Sequence, residues 1–304
     1  MSTKPHVETL TTFHLDPATR MGHVHLTVAS LDRQIEFYRQ FIGLKLHRRT
    51  ASTAVLGAGG EDLLRLTESP GARRYRSTTG LYHFALLVPD RRELARVIGR
   101  LFSLGYPNYP TDHILTKSTY VDDLEGNNIE VYTESPEDGV FEVVNDSFVA
   151  RRADGTWSDG REAIDVEALM RNLLPGDRLD EMMPPATRMG HFHLFVANLD
   201  ETMHFYAGIL GFDNKGIGRD FRMGMASVAG YHHHIGFNTW VGEGAPPPPP
   251  GALGLRYITI LLPGQAEMDR VAARLQEVRL PVEQVDEGLL IRDPSHNGVL
   301  LALA

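Results

Sequence analysis

The sequence contains no cysteine, and it has no apolar run near the ~18 residues that a membrane-spanning helix needs. Without cysteine, disulfide bonds, thiolate metal sites and a cysteine nucleophile are excluded. Residues 1–8 lack the apolar core that is typical of a signal peptide. We therefore expect a cytoplasmic protein that has no membrane partner.

Basic residues are also in the minority. The chain has 30 Lys and Arg against 39 Asp and Glu, which gives a net charge of -9 with histidine neutral. Because nucleic-acid binding depends on positively charged surfaces, we expect no nucleic-acid partner. At ~150 residues per domain, 304 residues suggest two domains. The 14 histidines are numerous for this length and unevenly placed.

The chain contains an internal repeat. Residues 17–23 and 185–191 both read PATRMGH, and a fainter similarity links residues 80–89 to 254–263. A repeat of this length indicates duplicated domains, each with two parts. The resulting four modules cover residues 20–69, 79–135, 188–242 and 252–304.

Each module has the same order of predicted elements. A short strand leads into an amphipathic helix, and further short strands follow. Ser30 is a predicted N-cap of the first helix, and Asn198 with Glu201 forms a capping box at the third. The sequence therefore predicts an α+β fold made of four βαβββ modules.

The modules are expected to form two domains in chain order. Residues 1–135 form the N-terminal domain and residues 188–304 the C-terminal domain. Residues 136–187 fit no module and are predicted to connect the two halves. The five prolines at 246–250 predict a stiff spacer between the third and fourth modules.

Two histidines and one carboxylate lie on separate predicted strands of the first half. His23 and His83 occupy equivalent places in the first strands of their modules, and Glu130 lies between Ile129 and Val131. A carboxylate in such an apolar strand is costly unless something pairs with it. Two neutral imidazoles and one carboxylate are what a facial metal triad requires, and they suit Fe(II) or Mn(II).

These motifs resemble the vicinal oxygen chelate superfamily of glyoxalases, bleomycin-resistance proteins and extradiol dioxygenases. The resemblance lies in GHVHLTVASLD at 22–32, YHFALLV at 82–88 and the motif at 120–132, and it excludes only residues 136–187. More narrowly, the chain resembles the two-domain catechol 2,3-dioxygenase-like branch. The resemblance implies modules paired into two open-barrel domains around one metal, with His23, His83 and Glu130 as the ligands.

The same resemblance implies an Fe(II)-dependent extradiol dioxygenase that acts on a catechol-type aromatic and dioxygen. Mn(II) or another divalent metal is an alternative to iron. Tyr120 stands ten residues before Glu130, where such enzymes carry a tyrosine beside the metal ligands. His113 is the expected acid/base residue, although its spacing to Tyr120 is two residues shorter than in better-known members.

The second half retains fewer of these residues. His191 remains, but Tyr257 and Leu300 replace the second histidine and the carboxylate, so a degenerate metal site is expected. His232 and His234 are predicted to share one face of a strand. Two interpretations of these histidines are open. They form a second metal site with His191, or they are packed histidines that bind no metal.

Two other functions remain open on sequence grounds. One is a metal-dependent isomerase or lyase of the same superfamily, which consumes no oxygen. The other is a non-enzymatic protein that sequesters a ligand and holds no metal. The sequence does not specify the ring substituents, the native metal or the oligomeric state, and a homo-oligomer is compatible with it.

Overall fold

A computed structural model describes residues 13–304, so residues 1–12 of the predicted N-terminal domain lie outside the described part. The strands are β1 (Arg20–Val28), β2 (Lys45–Arg49), β3 (Thr53–Gly57), β4 (Asp62–Glu68), β5 (Gly80–Leu87), β6 (Tyr109–Asp112), β7 (Thr116–Asp122), β8 (Asn128–Glu134), β9 (Gly139–Val144), β10 (Ser147–Arg152), β11 (Trp157–Ser158), β12 (Glu162–Ala163), β13 (Arg188–Phe195), β14 (Asp213–Gly218), β15 (Met223–Ser227), β16 (Ile235–Asn238), β17 (Gly254–Leu262), β18 (Glu283–Val285), β19 (Gly288–Arg292) and β20 (Gly298–Leu303).

The α-helices are α1 (Leu31–Phe37), α2 (Arg91–Ser103), α3 (Val166–Met170), α4 (Leu199–Met203) and α5 (Gln265–Glu277). The predicted α+β class with repeated βαβββ modules is confirmed, and the sheets remain open. The side chain of Asn198 accepts a hydrogen bond from the backbone N–H of Glu201 at 3.0 Å. Ser30 caps α1 in the same way, through the N–H of Arg33.

The strands form two large sheets. The first sheet has the order β18-β19-β20-β17-β1-β4-β3-β2, and the second has the order β12-β6-β7-β8-β5-β13-β16-β15-β14. The first sheet therefore joins modules one and four, and the second joins modules two and three.

This pairing differs from the grouping in chain order that we expected. β1 lies antiparallel to β17, and β5 lies antiparallel to β13, so each sheet crosses from one half of the chain to the other. The four opening strands have similar patterns, and such a local pattern does not select a partner strand. The domain boundaries at 135 and 188 stay predictions.

The two sheets have the same register at their centres. In the first sheet His25 lies opposite Tyr257, and Thr259 lies opposite Leu300. In the second sheet His193 lies opposite His83, and Ala85 lies opposite Glu130. Leu300 therefore occupies in the first sheet the position that Glu130 occupies in the second.

The opening strand of each module divides its side chains between core and cavity. Val24, Phe84, Phe192 and Ile258 are fully buried in one hydrophobic cluster. Because side chains alternate along a strand, the residues next to them face away from this core. The histidines on either side of Phe192 are therefore directed to the inner face of the second sheet.

Residues 136–187 cover the second sheet and do not simply run between the halves. They contain the three-stranded sheet β11-β10-β9, and β12 pairs with β6 at the edge of the second sheet. Phe148 packs with Met223 and Met225 of β15. In residues 13–304, no helix has the length and hydrophobicity needed to span a membrane.

Candidate metal centre

Three potential ligand atoms meet on adjacent strands of the second sheet. His83 lies on β5, Glu130 on β8 and His191 on β13. The Nε2 atoms of the two histidines are 3.2 Å apart. Oε2 of Glu130 lies 3.0 Å from Nε2 of His191 and 3.2 Å from Nε2 of His83. The three atoms therefore surround one point.

These three side chains are almost completely buried, with exposed fractions of 2–4%. Burial lowers the pKa of His83 to about 3, which keeps its imidazole neutral at physiological pH. Burial alone raises the pKa of Glu130, but His191 and His83 oppose it, and the net effect is a lowered pKa. The neutral imidazole of His83 and the ionised carboxylate of Glu130 are therefore available to bind a metal ion.

This arrangement fits a divalent metal ion. Ligands ~2.1 Å from an octahedral ion and at right angles to each other are ~3 Å apart, close to the separations of 3.0–3.2 Å found here. Ser118 Oγ donates a hydrogen bond to Oε1 of Glu130 at 2.6 Å, which orients the carboxylate and leaves Oε2 for the ion.

The structure brings together two of the three ligands that the sequence predicted. His83 and Glu130 are in the group, but His23 lies on the first sheet, where its ring centroid is 5.7 Å from that of Tyr257. His191 occupies the third position because β5 pairs with β13 and not with β1. The repeated PATRMGH motif could have identified His191, since it ends on His23 and on His191 alike.

His113 and Tyr120 lie side by side in the same cavity as the triad. Nδ1 of His113 lies 2.5 Å from the carbonyl oxygen of Gly160, so Nδ1 carries the proton and donates it to that oxygen. Nε2 is then an acceptor for the hydroxyl of Tyr120 at 2.8 Å. Burial raises the pKa of Tyr120 well above its usual value, so the phenol remains protonated.

Residues 231–234 form an irregular segment before β16 and not the strand that we expected. The predicted alternation is therefore absent, and it is His232 and His233 that line the cavity beside His191. These three histidines also have ligand atoms within 4.8 Å of one another. His234 is directed elsewhere, since its Nδ1 accepts a hydrogen bond from the N–H of Val228 at 3.1 Å.

The triad opens into a cavity of about 640 Å³. Aromatic side chains of Tyr82, Phe221 and Trp240 form one wall, and residues 159–163 of the connecting segment form another. The guanidinium of Arg161 lies 5.2 Å from the ring centroid of Phe221. A largely apolar cavity with a few convergent polar groups is typical of a small-molecule site.

A family model matches both halves of the chain. Residues 20–131 and 188–299 match the Glyoxalase/Bleomycin resistance protein/Dioxygenase superfamily. The chain belongs to this superfamily. The predicted resemblance is thereby confirmed, and this member of the superfamily carries its triad on modules two and three.

Known proteins define the branch of the superfamily. A Catechol-2,3-dioxygenase of Bacillus subtilis (strain 168) is 38% identical over 288 residues, which cover 94% of this chain and 96% of that protein. A crystal structure of a putative dioxygenase from the same species has a TM-score of 0.64 at 15% identity and covers 93% of this chain and 84% of that one. Glyoxalase I from Zea mays has a TM-score of 0.55 at 18% identity, with 94% and 92% covered.

The two structural similarities show the fold, and the sequence similarity defines the branch. The predictions of an enzyme and of the catechol 2,3-dioxygenase-like branch are confirmed by the similarity over nearly the whole length of both chains. This superfamily member is therefore an enzyme of the ring-cleaving dioxygenase type.

Proposed function

We propose that the protein is an Fe(II)-dependent extradiol dioxygenase that cleaves a catechol-type aromatic with dioxygen. The observation that carries this proposal is the group of His83, His191 and Glu130, which opens into a cavity with an aromatic wall. The Catechol-2,3-dioxygenase relative, 38% identical over 94% of the chain, supports the same reaction.

His83, His191 and Glu130 are the residues that hold the ion. Two imidazoles and one carboxylate are typical of non-haem Fe(II) oxygenases, and they leave coordination positions for two reactants. When bound, Fe(II) supplies the positive charge that lowers the pKa of the catechol hydroxyls and a common attachment point for both substrates.

His113 and Tyr120 handle protons. Nε2 of His113 is a basic atom at the cavity wall, because its Nδ1 proton is engaged with the carbonyl of Gly160. It accepts a proton that a catechol hydroxyl loses on binding and returns it later in the reaction. When the substrate binds, the hydroxyl of Tyr120, kept protonated by burial, turns from Nε2 of His113 to an oxygen of the substrate and donates its hydrogen bond there, which frees Nε2 to accept the catechol proton.

The remaining cavity residues position the ring. Tyr82, Phe221 and Trp240 present aromatic faces and edges to a flat substrate. Residues 159–163 line the same cavity. In the overall reaction both atoms of dioxygen enter the substrate, the carbon–carbon bond beside the two hydroxylated carbons breaks, and a ring-opened semialdehyde forms.

The test is anaerobic loading with Fe(II), followed by addition of catechol and dioxygen. We expect a yellow product and the uptake of one dioxygen per product in the parent and in the control variant His23→Ala. In His191→Ala both signals should be lost. An iron-loaded parent that consumes no oxygen with any catechol contradicts the proposal and favours an isomerase or lyase. A parent that binds no metal favours a ligand-sequestering protein.

A further inference from the structure

A second and larger cavity lies on the inner face of the first sheet, with a volume of about 1010 Å³. By register it is the counterpart of the metal-centre cavity. The counterparts of the three ligands on the first sheet are His23, Tyr257 and Leu300, and of these Tyr257 and Leu300 line the cavity. Within residues 13–304, no three ligand atoms converge in this cavity as they do in the other. The first sheet has kept a cavity and lost the metal site.

The floor of this second cavity contains a polar atom that has no partner in the described part of the chain. His25 lines the cavity and is only 5% exposed. Its Nε2 lies 2.7 Å from Oγ1 of Thr67, while its Nδ1 is buried and makes no hydrogen bond. Buried polar atoms are nearly always paired, so this nitrogen is a hydrogen-bonding group that remains available to a ligand of the cavity.

The charges around this cavity are mainly positive, in a chain of net charge -9. The cavity is lined by five arginines and three acidic residues. The arginines are Arg65, Arg74, Arg76, Arg256 and Arg292, and the acidic residues are Glu283, Asp286 and Glu287. Among the ion pairs of residues 13–304, Arg65 alone of these arginines has a carboxylate partner, Glu287. The remaining positive charge favours an anionic ligand.

One carboxylate of the chain already occupies part of the floor. Glu287, in the turn between β18 and β19, pairs with Arg65 and accepts a hydrogen bond from the hydroxyl of Tyr257 at 3.0 Å. Burial, together with the positive charges of Arg256 and Arg65, lowers the pKa of His25 to about 2. His25 is therefore neutral and able to donate through Nδ1 when Nε2 accepts from Thr67.

We propose that this second cavity binds a small aromatic carboxylate. Arg256 and Nδ1–H of His25 hold its carboxylate, and the ring of Tyr257 packs against its apolar part. Arginine forms strong bidentate hydrogen bonds with carboxylates, and Tyr257 already packs edge-on against His25 with ring centroids 4.7 Å apart. Residues 247–250 of the proline run form the opposite wall.

The size of the cavity suits a small molecule. Sites for organic ligands occupy ~300–1,000 Å³, and the cavity reaches the upper limit of that range, so a small aromatic molecule fits with space to spare. The proposal does not depend on the reaction at the metal centre, because no ligand of the triad lines this cavity.

The experiment is isothermal titration of the metal-free full-length protein with benzoate and with benzyl alcohol, a neutral molecule with the same ring. We expect benzoate to bind once per chain and benzyl alcohol to bind at least 10-fold more weakly. Arg256→Gln should weaken benzoate binding at least 10-fold. Arg33→Gln removes an exposed arginine elsewhere and should leave the affinity unchanged.

Two further variants test whether a change in benzoate affinity arises at the second cavity, and not from misfolding or from binding in the metal-centre cavity. Glu287→Gln removes the competing carboxylate and should strengthen benzoate binding, a gain that misfolding does not produce. Arg161→Gln alters the metal-centre cavity and should have no effect. The proposal is overturned if the parent binds no benzoate, if both probes bind equally, or if Arg161→Gln weakens binding while Arg256→Gln does not.

Discussion

Oε2 of Glu130 lies 3.0 Å from Nε2 of His191, although the two residues are 61 positions apart and come from different halves of the repeat. The contact exists because β8, β5 and β13 are neighbours in one sheet. The candidate metal centre therefore belongs to modules two and three together, and neither half of the chain contains it alone.

Metal content should depend on His191 and not on His23. Replacing His191 with alanine removes one of three ligands, so iron affinity should fall at least 10-fold and activity should be lost. His23→Ala changes a histidine on the other sheet and should retain both. Elemental analysis of the two purified variants beside the parent measures this. If His23→Ala loses iron and His191→Ala keeps it, the assignment of the centre to the second sheet is wrong.

Loss of the proton-handling pair should slow the reaction without loss of iron. His113→Gln removes the basic Nε2 and should reduce kcat by about 10²–10⁴-fold. Tyr120→Phe keeps the ring and removes the hydroxyl, so kcat should also fall at constant iron content. Tyr109→Phe makes the same chemical change on the cavity wall at a residue that is 66% exposed, and it should have little effect. Equal kcat values for all three variants would contradict the role of the pair.

A buried hydrogen bond should make Tyr38 more important for stability than its repeat counterpart, Tyr206. Both tyrosines are fully buried. The hydroxyl of Tyr38 donates to Asp123 at 2.9 Å, whereas that of Tyr206 lies 3.5 Å from Asp293. Tyr38→Phe should lower the free energy of unfolding by about 1–3 kcal/mol, and Tyr206→Phe by less. Urea denaturation measures both values, and the reverse order would refute the argument.

His234 should make the metal-free protein less stable as the pH falls. Burial lowers the pKa of His234 to about 4, against 6.5 in the unfolded chain, and its Nδ1 accepts from the N–H of Val228. Between pH 6.5 and 4 the unfolded chain binds a proton that the folded chain does not, so stability is lost with decreasing pH. In His234→Gln this loss should be smaller by about 1–3 kcal/mol. Urea denaturation at several pH values measures it, and identical pH profiles would show that His234 does not contribute.

Within one module, much of the site could be predicted from the sequence. His83, His113, Tyr120 and Glu130 all belong to module two, and the structure places them around one cavity. Their relation depends on strand alternation and on short connections between neighbouring strands, which local sequence specifies. The prediction of a strand at residues 231–234 was wrong, because three successive histidines carry no apolar–polar alternation that separates a strand from an irregular segment.

The sequence by itself determined the four modules, the helix caps and the membership of the superfamily, because each depends on residues close together in the chain. Only the tertiary structure showed that His191, and not His23, lies with His83 and Glu130 in the candidate metal centre. Both residues end the same seven-residue motif at the start of equivalent strands. Their difference arises from which strand lies beside β5, and that depends on long-range packing of the whole chain.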